Sequence, residues 1–203
     1  MTSIITGDII NSRNIAADKW LTVLKSIFNN YGKTPKTWEI FRGDSFQLEV
    51  NPTEAFKTCL LIKANIKCIQ NLDVRLAIGI GNKDYETNNI TESNGEVFIN
   101  SGYAFDNLLK KQNLAIKSPW NTIDDEFNIS FALALSIMDN WTITSAEFVK
   151  TALENTNLTQ KEIGEILNVS QAGISKTNKR AGLHEILRLE KRFYKKTSTI
   201  INN

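Results

Sequence analysis

Thr6-Gly7-Asp8-Ile9, at the end of the first apolar run, and Arg42-Gly43-Asp44-Ser45-Phe46, between two strand-like runs, each set a single aspartate at a chain reversal. If Ser3–Ile5 and Phe46–Val50 lie side by side in one sheet, Asp8 and Asp44 meet at the same edge. Two carboxylates converging on a sheet end suit a hard divalent cation such as Mg²⁺ or Mn²⁺, with phosphate oxygens and water completing the shell. An isolated aspartate after glycine also has a plainer use. It bonds its own backbone in a turn for which glycine supplies the positive φ.

Outward from these two stretches, the hydrophobic periodicity predicts a helix over Ala17–Asn30, with Trp20, Leu21, Leu24, Ile27 and Phe28 on one side. Trp38–Phe41 and Phe46–Val50 read as paired strands, and Glu54–Ile69 as a second helix burying Phe56, Leu60, Ala64 and Ile66. Val74–Ile80 is a β-rich run closed by Gly79 and Gly81, both read as strand terminators. A polar loop over Asn82–Asn94 leads to a helix at Gly95–Lys111 and a last short strand at Leu114–Lys117, and Ser118-Pro119-Trp120 ends the unit. The order β-α-β-β-α-β-α-β is a ferredoxin-like α+β pattern. It spans residues 1–120.

The remainder, 121–203, reads as all-helical. Phe127–Trp141 carries Phe127, Ile129, Phe131, Leu133, Leu135, Ile137 and Met138 with little polar face, as expected of a helix buried between domains or in a dimer. Thr144-Ser145-Ala146-Glu147 reads as a capping box, and Thr159-Gln160-Lys161-Glu162 as a second one. The second box opens a helix with Ile163, Ile166 and Leu167 for its core and small Gly164 where another helix must come close. Asn168 tolerates a left-handed turn, Val169 plugs the corner, Ser170 caps the next helix and Ile174 packs back. That spacing, over about 159–181, is a helix-turn-helix whose second helix enters the major groove of double-stranded DNA. Gln160 and Ser170 sit at the two helix starts. Gln171, Ala172, Ser175, Lys176, Asn178, Lys179 and Arg180 face outward, a mixture of amide, hydroxyl and basic groups suited to base edges and phosphates. A three-helix bundle with solvated lysines is the structural alternative. His184, the one histidine, reads as a surface or packed residue of the last helix.

Composition sets the class. With 203 residues, 41% hydrophobic and 23% charged, the chain has the make-up of a folded protein rather than a disordered one. The net charge of +2 hides an asymmetry: from Thr159 onward nine Lys/Arg face four Asp/Glu, against 15 and 18 before it. A basic appendage on an acidic partner domain is what a DNA-binding module gives. Cys59 and Cys68 lie in one predicted helix, which excludes a zinc quartet and argues against a disulfide. They read as core thiols. No basic leader or long apolar stretch follows Thr2, so neither signal peptide nor membrane span is expected, and a cytoplasmic location is. There, the Asn-x-Thr triplet at Asn89 and the Arg-Gly-Asp triplet carry no extracellular meaning.

The first part resembles the palm domain shared by class III nucleotidyl cyclases and GGDEF diguanylate cyclases, in which the first strand ends in a metal-binding aspartate and a hairpin carries a Gly-Asp pair. Asp8 and Asp44 fall on those positions. Arg75-Leu76-Ala77-Ile78-Gly79-Ile80-Gly81 is similar to the strand after the second helix in class III cyclases. The opening Thr6–Arg13, the Arg-Gly-Asp-Ser-Phe hairpin and the helix-turn-helix together resemble the bacterial SatD family. The resemblance implies metal at Asp8 and Asp44, with Mg²⁺ or Mn²⁺ accompanying a nucleotide. Arg13, Arg42, Ser45 and Asn100 are its candidate nucleotide and phosphate contacts. The chain departs from the cyclases on the late helix, where Asn100 is present but Ser101–Leu109 holds no arginine to stabilise the transferring phosphoryl group.

The expectation is thus a SatD-like transcriptional regulator: a homodimer in which a cyclase-like palm senses a ligand or dimerises, joined to a DNA-reading module. A nucleotidyl cyclase or other two-metal phosphoryl-transfer enzyme built on Asp8 and Asp44 is the alternative, and a ligand-free dimerisation palm a third.

Overall fold

The first strand runs further than its apolar residues indicate. In the computed structural model, which describes residues 1–202, β1 spans Thr2–Ile10 and carries Gly7 and Asp8 within it. Gly7 continues the strand because the Phe46 ring lies where a side chain would stand. The other strands are β2 (Trp38–Phe41), β3 (Ser45–Val50), β4 (Asp73–Gly81) and β5 (Leu114–Lys117). They form one five-stranded mixed sheet in the order β2-β3-β1-β4-β5, antiparallel throughout except for the β4–β5 pair. The helices between them are α1 (Ala17–Phe28), α2 (Ala55–Lys67) and α3 (Glu96–Asp106).

Alternation along each strand divides the sheet into two faces. Ile5 and Ile9 of β1, with Val74, Leu76, Ile78 and Ile80 of β4, join the main core, which also takes in residues of α1 and α2. The opposite face of β4 presents Arg75, Ala77, Gly79 and Gly81. The two glycines let α3 lie directly on the strand: a methyl group on Gly79 would fall on the backbone of Val97 and Ser101, and one on Gly81 would come within 2.8 Å of the Val97 amide nitrogen. Gly81 ends the strand as expected, whereas Gly79 lies inside it, and the two set the approach of α3.

Five helices follow: α4 (Asn121–Met138), α5 (Ile143–Glu154), α6 (Gln160–Ile166), α7 (Gln171–Ala181) and α8 (Leu183–Ile201). The expected capping box at Thr144 is displaced. Thr142 is the N-cap of α5, accepting from the Ser145 amide.

Helix α2 joins the two halves of the chain. Ten of its residues are buried, more than one amphipathic stripe supplies, because the sheet covers one side and the later helices the other. Phe56 of α2 stacks on Phe131 of α4 with centroids 4.6 Å apart, and Phe193 of α8 packs against Phe56, Phe127 and Phe131. One hydrophobic cluster consequently runs from Ile5 and Phe46 through Phe56 to Ile163, Ile174 and Phe193.

The same junction holds a buried ion network. The Lys63 ammonium of α2 donates to Asp73 at 2.8 Å and to Asp139 at 2.7 Å, while Lys67 donates to Asp73 and to the Asp139 carbonyl at the end of α4. Two carboxylates thus offset the lost hydration of a lysine side chain that is only 3% exposed.

Candidate functional site

The sheet brings Asp8 and Asp44 to one edge, as their motifs require. Cross-strand register sets Asp8 opposite Ser45 on one side and Arg75 on the other, and Asp44 sits in the loop just before Ser45. That loop is Arg42-Gly43-Asp44, with positive φ at Arg42 (52°) and Gly43 (94°), so the hairpin reverses within three residues. After β1, Asn11 takes a left-handed conformation and a 3-10 turn over Ser12–Asn14 folds back toward the hairpin. A cleft of about 530 Å³ results. Asp8, Ser12, Arg13, Asp44 and Arg75 line it.

Both carboxylates have partners within the protein. Arg75 donates from Nε to Asp8 Oδ1 at 2.9 Å and from Nη2 to Asp8 Oδ2. Ser12 donates its hydroxyl to Asp44 Oδ2. The bond to Asp8 and the charges of Asp8 and Asp44 raise the Arg75 pKa above the ordinary guanidinium value, so the cation is permanent. Its other face lies over the Phe105 ring at the end of α3, 5.6 Å from the centroid. Arg75 is the residue of this cleft that sequence reasoning missed, since it stands in a run that reads only as a strand. The pairing of Asp8 with a residue 67 positions away is set by strand order, which no local pattern encodes.

The remaining predicted contacts divide. Arg13 is exposed at the cleft wall, Arg42 is exposed in the hairpin loop and Ser45 is half-buried opposite Asp8. Asn100 is not brought to them. It is buried on α3, where its amide donates to the Ile80 carbonyl at 2.7 Å, near the end of β4 remote from Arg75. Among the described residues no three His, Cys, Asp or Glu side chains gather into a metal-ligand set.

The α6–turn–α7 segment is assembled as its residues dictate. Thr159 and Glu162 complete the reciprocal capping box of α6, and the two bonds from Thr159 hold the Glu162 carboxyl below the usual carboxylate range. Asn168 is left-handed at φ 53°, and Ser170 caps α7 by accepting from the Gly173 amide. Gly164 lets the turn close: a Cβ there would stand 2.9 Å from the Val169 carbonyl oxygen. One predicted core residue lies elsewhere. Ile166 is exposed on α6, whereas Ile163 is buried and Leu167 half-buried.

On α7, Ile174, Thr177 and Ala181 face inward against α5, α6 and α8. Gln171, Ala172, Ser175, Lys176, Lys179 and Arg180 are exposed, and Asn178 is half-buried. Gln160 and Ser170, at the two helix starts, are exposed as well. Arg180 is tied back to α5 through Nε to the Ser145 hydroxyl at 3.3 Å, which leaves Lys176 and Lys179 as the untethered cations of the row.

Both thiols are free: Cys59 is buried in α2 as expected of a core thiol, whereas Cys68 is half-buried just past the end of that helix, with burial pushing its thiol up to about 11. No helix is long and apolar enough to cross a membrane among the described residues. Searches of curated proteins and of solved structures return no match. The family model described as SatD family matches residues 2–196, nearly the whole chain including both the Asp8–Asp44 cleft and the α6–α7 segment, so the chain belongs to the SatD family.

Proposed function

We propose that the chain is a DNA-binding transcriptional regulator that reads double-stranded DNA through α7. The observation that carries this is the outward row Gln171, Ala172, Ser175, Lys176 and Lys179. It stands on a helix whose inner face is buried and whose entry turn is capped at Thr159 and Ser170. Lysines of such a row neutralise phosphates, and Gln171 and Ser175 near the helix start offer donors and acceptors to base edges. The basic excess after Thr159 supplies the surrounding field. The test is fluorescence anisotropy against a random duplex pool and its selected sequences, at several salt concentrations. Selection of no sequence, or binding indifferent to Lys176→Ala/Lys179→Ala, overturns the reading.

The palm is read as a ferredoxin-like sensor. In support, β2-β3-β1-β4 with α1 and α2 on one face is the strand order of that fold, here extended by β5. Asp8 and Asp44 supply the hard oxygen donors that Mg²⁺ or Mn²⁺ takes, and a nucleotide's phosphates would complete the shell. Arg75 occupies Asp8, so a cation there must displace a bidentate guanidinium, which then faces the phosphates.

An enzymatic reading has one specific observation in its favour. Arg75 sets beside the two aspartates the cation that the late helix lacks, and a two-metal phosphoryl-transfer site needs such a charge. Titration with Mg²⁺ or Mn²⁺ and each nucleoside triphosphate separates the readings. A melting shift without product indicates a sensor, and turnover lost in Asp44→Asn indicates an enzyme.

A further inference from the structure

Ten large apolar side chains are exposed among the described residues, and five of them belong to α3, to α4 or to the loop after α3. Ile99 and Tyr103 are one turn apart on the outer face of α3, Leu109 follows in the next loop, and Ile129 and Leu133 are one turn apart on α4. Ile129 is 66% and Leu133 69% exposed, although both belong to the apolar run that reads as a buried helix. Between α3 and α4 runs a groove of about 860 Å³ that Ala115 and Ile116 of β5 help to line. Apolar surface gathered in this way marks an interaction site rather than ordinary scatter.

The chemistry of the groove narrows what covers it. The outer edge of β5 would accept a further strand, but side chains close it. Asn128 of α4 donates to the Ile116 carbonyl at 3.0 Å and accepts from the Ile116 amide at 2.9 Å, and Gln112 donates to the Leu114 carbonyl at 3.2 Å. An extended peptide therefore finds no backbone ladder there. A partner must bring side chains, packing helix to helix.

Charge supplies the complement. Lys110 and Lys111 stand on one bank and Asp125 on the other, all exposed, and none of them takes part in an ion pair among the described residues. Lys117 and Asp124 neutralise each other at 2.6 Å between them. Opposite charges on the two banks of an apolar groove make the surface complementary to itself. A two-fold rotation sets the Lys110–Lys111 pair of each copy against Asp125 of the other and apolar stripe against apolar stripe.

We propose that a second copy of this chain docks on the groove between α3 and α4, forming a two-fold dimer. Helix α4 gives the contact a consequence. Its Ile137 packs on Gly182, the left-handed residue between α7 and α8, so the helix that meets the partner also seats the end of α7. Where the DNA-reading assignment of α7 holds, the dimer fixes the separation of two reading helices. The dimer itself does not depend on that assignment.

Sedimentation velocity on the full chain, from about 1 to about 100 μM, tests this without DNA. The wild type is expected to run as a dimer over the upper part of that range, and Ile129→Glu/Leu133→Glu as a monomer. Both side chains are exposed, so circular dichroism of that variant should match the wild type. If it does not fold, charge reversal decides: Lys110→Glu/Lys111→Glu should weaken association about tenfold or more, and adding Asp125→Lys should restore it. A wild type that stays monomeric, or a dimer that charge reversal neither weakens nor rescues, overturns the proposal.

Discussion

Arg75 on β4 faces Asp8 on β1 from the opposite register position and holds both of its carboxylate oxygens. Asp44, from the neighbouring hairpin, is held instead by Ser12. Both carboxylates of the cleft are therefore held by its own side chains.

Arg75→Gln should separate these roles. The guanidinium is 47% exposed, so its loss should cost less than about 1 kcal/mol of stability. Asp8 is then free for a cation. With Mn²⁺ and a nucleoside triphosphate, the rise in melting temperature should be larger in Arg75→Gln than in the wild type and absent in Asp8→Asn/Asp44→Asn. A site filled to a hundredfold over its Kd adds about 2.7 kcal/mol. Equal melting curves for all three proteins under these conditions would dismiss the ligand site.

Lysines and glutamine on α7 should behave differently toward DNA. Lys176→Ala and Lys179→Ala should each weaken binding on every sequence and lower the salt slope by about 1. Gln171→Ala should leave the slope unchanged and relax discrimination at one base pair, by about 1–3 kcal/mol. Anisotropy titrations on the selected sequence and its single-base variants distinguish the two behaviours.

Two glycines near each other in space should respond oppositely to alanine. Gly79→Ala drives a methyl group into the α3 backbone and should cost about 2 kcal/mol or more. At Gly102, within α3, an added methyl group would meet nothing within 4 Å, and the backbone is not left-handed. Gly102→Ala should stabilise by up to about 1 kcal/mol. Urea unfolding of both variants measures the difference.

Glu126 on α4 pairs with Arg192 and Lys196 on α8, and the bond from Arg192 holds its carboxyl below the usual carboxylate range. A folded-state pKa below the unfolded one adds stability that is present above the ordinary value of about 4.3 and is lost as pH falls through the lowered value. Glu126→Gln should accordingly lower the melting temperature near about pH 7 and converge on the wild type near about pH 3. A gap of constant size across that range would exclude the ion pair as its cause.

What can be read from the chain and what cannot follow from the range of the forces involved. The pairing of α6 with α7 is legible because each of its signals is local: Thr159 with Glu162, Gly164 with Val169, Asn168 at the turn and Ser170 at the next start all act within a few residues. The strands are legible from alternation, but Gly7 and Gly79 read as breaks because glycine in a turn and glycine under a crossing ring or helix look alike in one dimension. Asp8 with Asp44 is legible as a pair of motifs. Arg75 as the partner of Asp8, and Asn100 as a donor to the Ile80 carbonyl, depend on which elements neighbour each other. The apolar run of α4 reveals the helix but not its two fates, since Phe127 and Phe131 face α2 and α8 while Ile129 and Leu133 face outward.

The Phe56, Phe131 and Phe193 rings tie the sheet half of the chain to its helical half. A cut near residue 120 would uncover Phe56 on one fragment and Phe131 and Phe193 on the other. Neither piece keeps a closed interior, so heating should melt the whole chain in a single step. Any molecule that tightens the sheet then also slows the loosening of α7 some distance away. Such transmission needs no moving hinge, only one interior shared by both ends of the chain.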